Sequence, residues 1–280
     1  MQTWDRDAVA ALLLDCGRIA LDFYDDPRRE LKADRSVVTA ADRAIEAHMA
    51  AVLDDPAAGS YMIGEETIDR RGEDYVRNAL SGRTWVVYPV DGTAPYAHHL
   101  PTWGISIGLM EAGTLVEGAI LLPPTGELFV SDGDVVLFAA GCGEGRAADL
   151  RPLEPAPRAW DDGAMIALTQ SVTKQSVLAL PNPVQALGCA VLPLPYLLLG
   201  RYVAYIGTLK LWDFAGGLPL LLKCGFVGKL CSGRRVGPDV TDGLVHLEPD
   251  HPRRWAIGEP AVFAATEAVC DVVAQAVPTP

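Results

Sequence analysis

The sequence lacks the features that mark several classes of protein. Its 280 residues contain 23 Lys and Arg against 36 Asp and Glu, giving a net charge of −13. Because an acidic chain is a poor bulk partner for nucleic acid or an anionic membrane, we predict neither. The longest apolar run, at 186–200, is too short to span a bilayer and contains Pro193 and Pro195. The N-terminus, MQTWDRDAVA, has acids where a signal peptide has bases, so no export signal is predicted.

Cysteine occurs six times but never in a CxxC pair. Zinc sites usually need such paired spacing, and none is predicted. Most of the cysteines lie in apolar contexts, which favours reduced, buried thiols in a cytoplasmic protein. We expect Cys189 and Cys224 to be buried thiols of this kind and not nucleophiles.

The elements that the sequence predicts change in type along the chain. Apolar residues at helical spacing predict a helix over 4–25 and a second helix that opens at Thr39. Five apolar segments separated by Gly, Pro and Asp predict strands between 85 and 139. Beyond 162, strands and helices alternate, with helices predicted over about 184–199 and 260–276.

This order of elements favours a layered αβ sandwich, a mixed α+β and α/β fold. The Pro-rich and charged segment 146–162 has no periodic pattern. We therefore predict two lobes, an N-terminal α+β lobe over 1–145 and a C-terminal α/β lobe over 146–280.

Four acids follow directly on apolar stretches, where strand or helix ends can bring them together. They are Glu65 and Glu66 after YMIG, Asp91 after WVVYPV, and Asp213 in LKLWDFAGG. Clustered carboxylates repel one another unless a cation neutralises them, and oxygen ligands suit Mg²⁺. Such a cluster is typical of phosphoryl hydrolysis. Each acid taken singly also fits a cap or turn; Asp213, for example, fits the cap of a helix that begins at Phe214.

Several stretches resemble, in order and spacing, the inositol monophosphatase family of metal-dependent phosphatases. They are SVVTAADRAIE at 36–46, GEET at 64–67, WVVYPVDGT at 85–93, PTWGISIGL at 101–109 and LWDFAGG at 211–217. The resemblance covers roughly residues 8–270. It implies a five-layered αβαβα sandwich, a Mg²⁺ cofactor, and hydrolysis of a small phosphorylated metabolite such as a sugar, polyol or nucleotide phosphate. It also implies a homodimer, for which we predict the 103–139 meander as the interface.

The resemblance assigns a role to each motif residue. Metal would be bound by Glu65, the Val90 carbonyl, Asp91 and Asp213, with Glu66 supporting them from the outer coordination sphere. The catalytic set would be Asp42, Thr93 and Glu65, with Asp42 and Thr93 orienting and deprotonating the attacking water. Substrate would contact the backbone N–H groups of Gly92 and Thr93, and also Lys32, Tyr88, Ile206 and Asp213.

Two positions depart from the family pattern. Tyr88 stands where the family has an aspartate that bridges two metal ions, and a neutral phenol is a poor Mg²⁺ ligand. Ile206 stands seven residues before Asp213, where inositol-type members have a glutamate that contacts substrate hydroxyls. These departures predict an altered site with fewer Mg²⁺ ions than is usual. The alternative is a repurposed member of a specialised biosynthetic pathway, which catalyses a different reaction or binds a ligand without metal-dependent hydrolysis.

Overall fold

The computed structural model describes residue 1 and residues 3–31, 36–143, 148–175 and 179–277. Lys32, a predicted substrate contact, lies outside these residues. The helices are α1 (Arg6–Asp22), α2 (Ala40–Leu53), α3 (Glu73–Ser81), α4 (Thr93–Ala97), α5 (Gln170–Gln175), α6 (Pro193–Leu198), α7 (Leu211–Ala215), α8 (Gly217–Lys223) and α9 (Glu267–Gln275). The strands are β1 (Glu30–Leu31), β2 (Val37–Val38), β3 (Ser60–Gly64), β4 (Arg83–Asp91), β5 (Gly104–Glu111), β6 (Thr114–Leu122), β7 (Glu127–Asp132), β8 (Val135–Ala139), β9 (Arg151–Pro152), β10 (Ile166–Leu168), β11 (Val184–Ala186), β12 (Ala204–Gly207), β13 (Val227–Leu230) and β14 (Ala261–Ala264).

The first two helices begin where side-chain oxygens can satisfy their free N–H groups. The Asp5 carboxylate accepts hydrogen bonds from the N–H groups of Asp7 and Ala8, which fixes the start of α1. Helix α2 begins after Thr39, as the sequence predicts. Both helices bury one apolar stripe, which includes Leu13 on α1 and Ile45 on α2.

The larger sheet has seven strands in the order β3-β4-β5-β6-β7-β8-β9. Strands β3 and β4 run parallel, and every later pair is antiparallel. The predicted meander between 85 and 139 is therefore confirmed. Helices α1 and α2 cover one face of this sheet, and α7 and α8 cover the other. Because both faces are covered, its central strands are apolar nearly throughout.

The smaller sheet has five strands in the order β11-β10-β12-β14-β13. One face packs toward α6, and α9 packs on β13 and β14 from the other side. The layers therefore stack in the order helices, sheet, helices, sheet and helix, which confirms the αβαβα sandwich. The core between the sheets contains buried residues from both predicted lobes, including Ile63 and Phe263. The boundary at 145/146 lies outside the described residues, so the division into two lobes stays a prediction.

Two predicted helices are only partly right. The segment 184–199 begins as strand β11 and becomes helical only at Pro193, because the fixed φ of proline suits the first turn of a helix. The segment 260–276 begins as strand β14, where Val262 and Phe263 pair with β12 and β13. Helix α9 then starts after Thr266, whose hydroxyl accepts a hydrogen bond from the N–H of Val269.

All six cysteines are free thiols, and Cys189 is buried while Cys224 is partly buried. In the part of the chain that the structure describes, none of the helices combines the length and the apolar character needed to cross a membrane.

Candidate active site

The end of β4 and the start of α2 bring three predicted residues together. Thr93 Oγ1 lies 3.0 Å from the Val90 carbonyl oxygen and 3.4 Å from Asp42 Oδ1, so its hydroxyl can donate to either. The other Asp42 oxygen accepts hydrogen bonds from the N–H (2.8 Å) and hydroxyl (2.6 Å) of Thr39. Asp42 is buried, and that burial raises its pKa to about 7 even though Thr39 opposes the shift. The arrangement holds a hydroxyl beside a fixed carboxyl group that can accept a proton.

Asp91, the last residue of β4, is held through one oxygen only. Its Oδ2 accepts hydrogen bonds from the Cys189 thiol and from the N–H groups of Ala190 and Val191. Burial nevertheless raises the pKa of Asp91 to about 6, and Glu65 contributes to the increase. All three donors lie on Oδ2, and within the described residues Oδ1 accepts no hydrogen bond.

Asp213, in the first turn of α7, accepts a hydrogen bond from the N–H of Lys210 on Oδ2 at 2.7 Å. It therefore caps its own helix, and the cap begins at Lys210, four residues before the predicted start at Phe214. Burial, and then the charge of Asp91, raise the pKa of Asp213 well above its usual range. Asp91 and Asp213 line the same small pocket of about 170 Å³.

Tyr88 forms another wall of this pocket, beside Asp91 and Asp213. Burial raises its pKa well above the ordinary value, and the charges of Glu65, Asp91 and Asp213 add to the increase. The phenol is therefore a neutral donor placed among carboxylates, where burial and the nearby negative charges disfavour a phenolate.

Glu65 and Glu66 follow β3 and line a larger cleft of about 900 Å³ beside the pocket. The loop that carries them is anchored by Glu46 of α2, a buried residue that the sequence analysis did not identify. Glu46 Oε2 accepts a hydrogen bond from the N–H of Glu66 at 2.9 Å, and Oε1 accepts one from the Thr67 hydroxyl. A Cβ at Gly64 would lie 2.5 Å from Glu46, so only glycine allows this contact.

The pocket residues offer the oxygen ligands that a hard cation prefers. Within the described residues, no three His, Cys, Asp or Glu side chains are grouped closely enough to hold a metal ion. The role of Glu65, Asp91 and Asp213 as one three-carboxylate metal set stays a prediction. Asp91 and Asp213 share one pocket, and their carboxylates are the groups there that would hold Mg²⁺.

Ile206 does not face this pocket, contrary to the prediction. It is buried in the core between the smaller sheet and α9, because alternate residues of a strand point to opposite faces. The neighbouring Tyr205 points the other way, into the core between the two sheets. Its hydroxyl is buried without a hydrogen-bond partner among the described residues, and burial followed by the charges of Asp213 and Asp91 raises its pKa.

Gly92 is the one predicted phosphate-contact residue whose backbone conformation demands its residue type. Its φ is +83°, and a Cβ there would lie 2.6 Å from the Thr102 carbonyl oxygen. Only glycine permits this turn from β4 into α4, which brings Thr93 next to Asp42.

The chain matches one known protein family over most of its length. The model of the inositol monophosphatase family matches residues 5–262. The chain belongs to the inositol monophosphatase family. An inositol-1-monophosphatase of Mesorhizobium japonicum is 30% identical over 217 residues, which cover 73% of this chain and 76% of that relative. The chain is thus a hydrolase of the phosphatase class that acts on small phosphorylated metabolites.

Solved structures show the same fold. An IMPase of Thermotoga maritima has a TM-score of 0.66 at 19% identity, covering 95% of this chain and 94% of that chain. An IMPase/NADP phosphatase solved with Mg²⁺ and phosphate has a TM-score of 0.69 at 16% identity, covering 95% and 93%. These likenesses confirm the inositol monophosphatase fold.

Two site residues missed by the sequence analysis had signals of different strength. Glu46 lies four residues after Asp42, one helical turn away on the same face of α2, so the pattern of the helix could have identified it. Cys189 is 98 residues from Asp91 in the chain, and nothing in its neighbours marks the contact. Only the packing of the two sheets brings that thiol to the carboxylate.

Proposed function

We propose that this chain hydrolyses a small phosphate monoester with one Mg²⁺ held by Asp91 and Asp213. The observation that carries the proposal is the Asp42–Thr93–Val90 arrangement, which stands next to a pocket walled by two carboxylates. Glu65 is proposed as an additional ligand through water, since it lines the adjoining cleft. A bound Mg²⁺ would neutralise charge on the transferring phosphoryl group and on the leaving oxygen.

Side chains and backbone groups of the chain would carry out proton transfer and hold the phosphate. A water beside Thr93 gives its proton to the Thr93 hydroxyl, which passes its own proton to Asp42. The oxygen of that water forms a bond to phosphorus as the bond from phosphorus to the ester oxygen breaks, and the leaving alkoxide takes a proton from solvent. The backbone N–H groups of Gly92 and Thr93 hold the phosphate oxygens.

The direct test is release of inorganic phosphate from a panel of sugar, polyol and nucleotide monophosphates, with Mg²⁺ and with EDTA. We expect release that requires Mg²⁺ and is lost in Thr93→Val. Thr93→Ser, which keeps the hydroxyl, should retain activity. Equal rates in Mg²⁺ and EDTA would contradict the metal requirement, and no release from any ester would contradict hydrolysis.

A second candidate function is supported by Tyr88. This phenol stands among the site carboxylates, and the described residues contain no three-ligand metal group. Both observations favour a protein that binds a hydroxylated ligand, or converts it by another reaction, without metal. Identical melting temperatures in millimolar Mg²⁺ and in EDTA would favour this candidate. A bound cation would instead stabilise the fold by about 2.7 kcal/mol at a hundredfold excess over its dissociation constant.

We also propose that the protein is a cytoplasmic homodimer. Six free cysteines suit a reducing compartment. Helices of the same chain cover both faces of strands β5 to β7, so the predicted interface at 103–139 would have to use turns and edges. Light scattering at micromolar concentration tests the dimer, and a monomeric mass would contradict it.

A further inference from the structure

The larger cleft, of about 900 Å³, is lined by more cations than anions in a protein whose net charge is −13. Its walls include six Arg and Lys side chains and four Asp and Glu side chains. The cleft lies directly beside the proposed reaction pocket. The excess of two cations corresponds to Arg43 and Arg71, which pair with acids outside the lining, so a ligand would be attracted by individual cations that have no such partner. The first turn of α7 connects the two, because Asp213 lines the pocket while Lys210 and Trp212 line the cleft.

Not all of these cations are neutralised by the protein itself. Three of the arginines form ion pairs, Arg43 with Glu30, Arg71 with Asp54 and Arg254 with Glu73. Within the described part of the chain, Arg70 and Lys210 have no carboxylate at ion-pair distance. Lys210 lies over the Trp212 ring, with its ammonium nitrogen 5.3 Å from the ring centre. A cation held on an aromatic face remains available to an anionic ligand.

The buried polar atoms of the cleft that lack partners are donors. Trp255 Nε1 and Arg254 Nε are both buried with no hydrogen-bond partner among the described residues. Trp255 itself is 2% exposed. Leaving a buried donor unpaired is unfavourable, so an acceptor supplied by a ligand would stabilise these groups.

Trp255 has a backbone conformation that bulky residues rarely adopt. Trp255 has a φ of +70°, in the left-handed region. Its carbonyl accepts a hydrogen bond from the N–H of Leu211, and its N–H donates to the His246 carbonyl, both at 2.7 Å. Strain of this kind persists where surrounding contacts enforce it, often at ligand sites. These contacts fix the indole beside Trp212, with the two ring centres 6.4 Å apart.

We propose that this cleft is a subsite for a second anionic group of the substrate, so that the preferred substrate is a phosphate ester carrying another phosphate or a carboxylate. The inference rests on the proposed function, because the ester to be cleaved is placed in the Asp91/Asp213 pocket. Lys210 and Arg70 supply charge, and Trp255 and Arg254 supply the buried donors. A singly phosphorylated polyol would leave these groups without an acceptor.

The test compares matched esters that differ only in the second anion. One pair is fructose 6-phosphate and fructose 1,6-bisphosphate; the other is glycerol 3-phosphate and 3-phosphoglycerate. We expect at least a tenfold lower KM for one of the doubly anionic esters, with the difference shrinking as salt is raised. The pair that shows the larger preference identifies the second group as phosphate or carboxylate. Equal KM values within both pairs would overturn the proposal.

Variants then locate the preference in the cleft. The Lys210→Gln/Arg70→Gln double variant should lose most of the preference, and Trp255→Phe, which keeps a ring but removes the N–H, should lose part of it. Arg18→Gln is the control, since it removes an exposed positive charge on α1, remote in sequence from the cleft lining, and should leave the preference unchanged. A preference that survives in the double variant, or falls equally in Arg18→Gln, would overturn the assignment.

Binding measurements keep this inference separate from the proposed hydrolysis. If the wild-type protein cleaves none of the four esters, the proposed function fails, but calorimetry of the same esters still tests the cleft. At least tenfold tighter binding of a doubly anionic ester would support the subsite, and equal dissociation constants would overturn it. Thermal melts of each variant check that the fold is intact.

Discussion

The carboxylate of Glu127 and the carboxylates of Asp91 and Asp213 differ in what surrounds them. Glu127 accepts hydrogen bonds from Thr125, Tyr196 and Arg201. Burial alone would raise its pKa, but these donors, Arg201 above all, hold the pKa of Glu127 below its ordinary value. Asp91 is also buried and Asp213 is partly buried, yet no cationic side chain forms an ion pair with them in the described residues, and their pKa values are raised.

The difference separates a structural carboxylate from the pair that we propose to be functional. Glu127 lies at the start of β7 and is bonded to α6 and to the segment before β12, so its ion pair ties the larger sheet to the layer above it. Asp91 and Asp213 repel each other and gain little stability from their placement. Carboxylates kept close together without a partner cation are typical of a site that an external cation or a ligand donor completes.

Among the variants that test this comparison, Asp91→Asn is expected to have the largest effect. The amide oxygen can still accept from Cys189, Ala190 and Val191, while the charge that attracts a cation is lost. We expect phosphatase activity to fall at least about a hundredfold and the Mg²⁺-dependent rise in melting temperature to disappear. Phosphate release and thermal melts in Mg²⁺ and EDTA measure both. Asp134→Asn, an exposed residue in the turn between β7 and β8, is the control, and a Mg²⁺ shift that persists in Asp91→Asn would refute the assignment.

Tyr88→Asp should have the opposite effect on metal binding and on activity. A new carboxylate restores the ligand that the family pattern has, so Mg²⁺ affinity should rise about tenfold or more and phosphate release should increase. Without metal the variant should melt at a lower temperature than wild type, because another carboxylate joins Glu65, Asp91 and Asp213. Calorimetry with Mg²⁺ provides the measurement, and Tyr88→Phe separates loss of the hydroxyl from gain of charge. If neither affinity nor activity changes, the bridged site cannot be restored by this residue.

Glu127→Gln tests the structural carboxylate. Losing the charge-assisted hydrogen bonds to Arg201 should lower the free energy of unfolding by about 1–3 kcal/mol at neutral pH. The pKa of Glu127 is lowered in the folded state, so its contribution is present above the unfolded value of 4.5 and is lost as pH falls through the lower folded value.

Urea unfolding at several pH values measures this contribution. The difference between wild type and Glu127→Gln should be largest near neutral pH and shrink below about pH 4.5. Asp149→Asn removes a fully exposed partner of Arg151 and should leave the unfolding midpoint unchanged. A difference that stays constant down to strongly acidic pH would exclude the charge of Glu127 as its source.

The smallest effect is expected for Glu66→Gln. The backbone N–H of Glu66, and not its side chain, makes the bond to Glu46 that holds the loop. We expect the Mg²⁺-dependent melting shift to remain, in contrast to Asp91→Asn. The apparent metal affinity should stay within about twofold of that of wild type. A loss of the shift as complete as in Asp91→Asn would make Glu66 a direct ligand.

The sequence alone determined the features that depend on neighbours in the chain. Thr39 as the start of α2, the meander over β4 to β8, and the acids placed at element ends all follow from local pattern and turn chemistry. The motifs around Asp42, Asp91 and Asp213 also led to the family and the fold. Local patterns carry this information because capping, strand alternation and turns involve residues only a few positions apart.

Only the tertiary structure decided which groups meet. The thiol of Cys189 reaches Asp91 because the segment after β11 packs against the end of β4, a contact between residues 98 positions apart. Strand alternation turned Tyr205 toward the core between the sheets and Ile206 away from it, since neighbouring strand residues face opposite sides. The cleft of Lys210 and Trp255 exists because backbone hydrogen bonds join segments that are more than 40 residues apart. Such contacts depend on how layers stack, and the sequence pattern of either segment alone does not encode that.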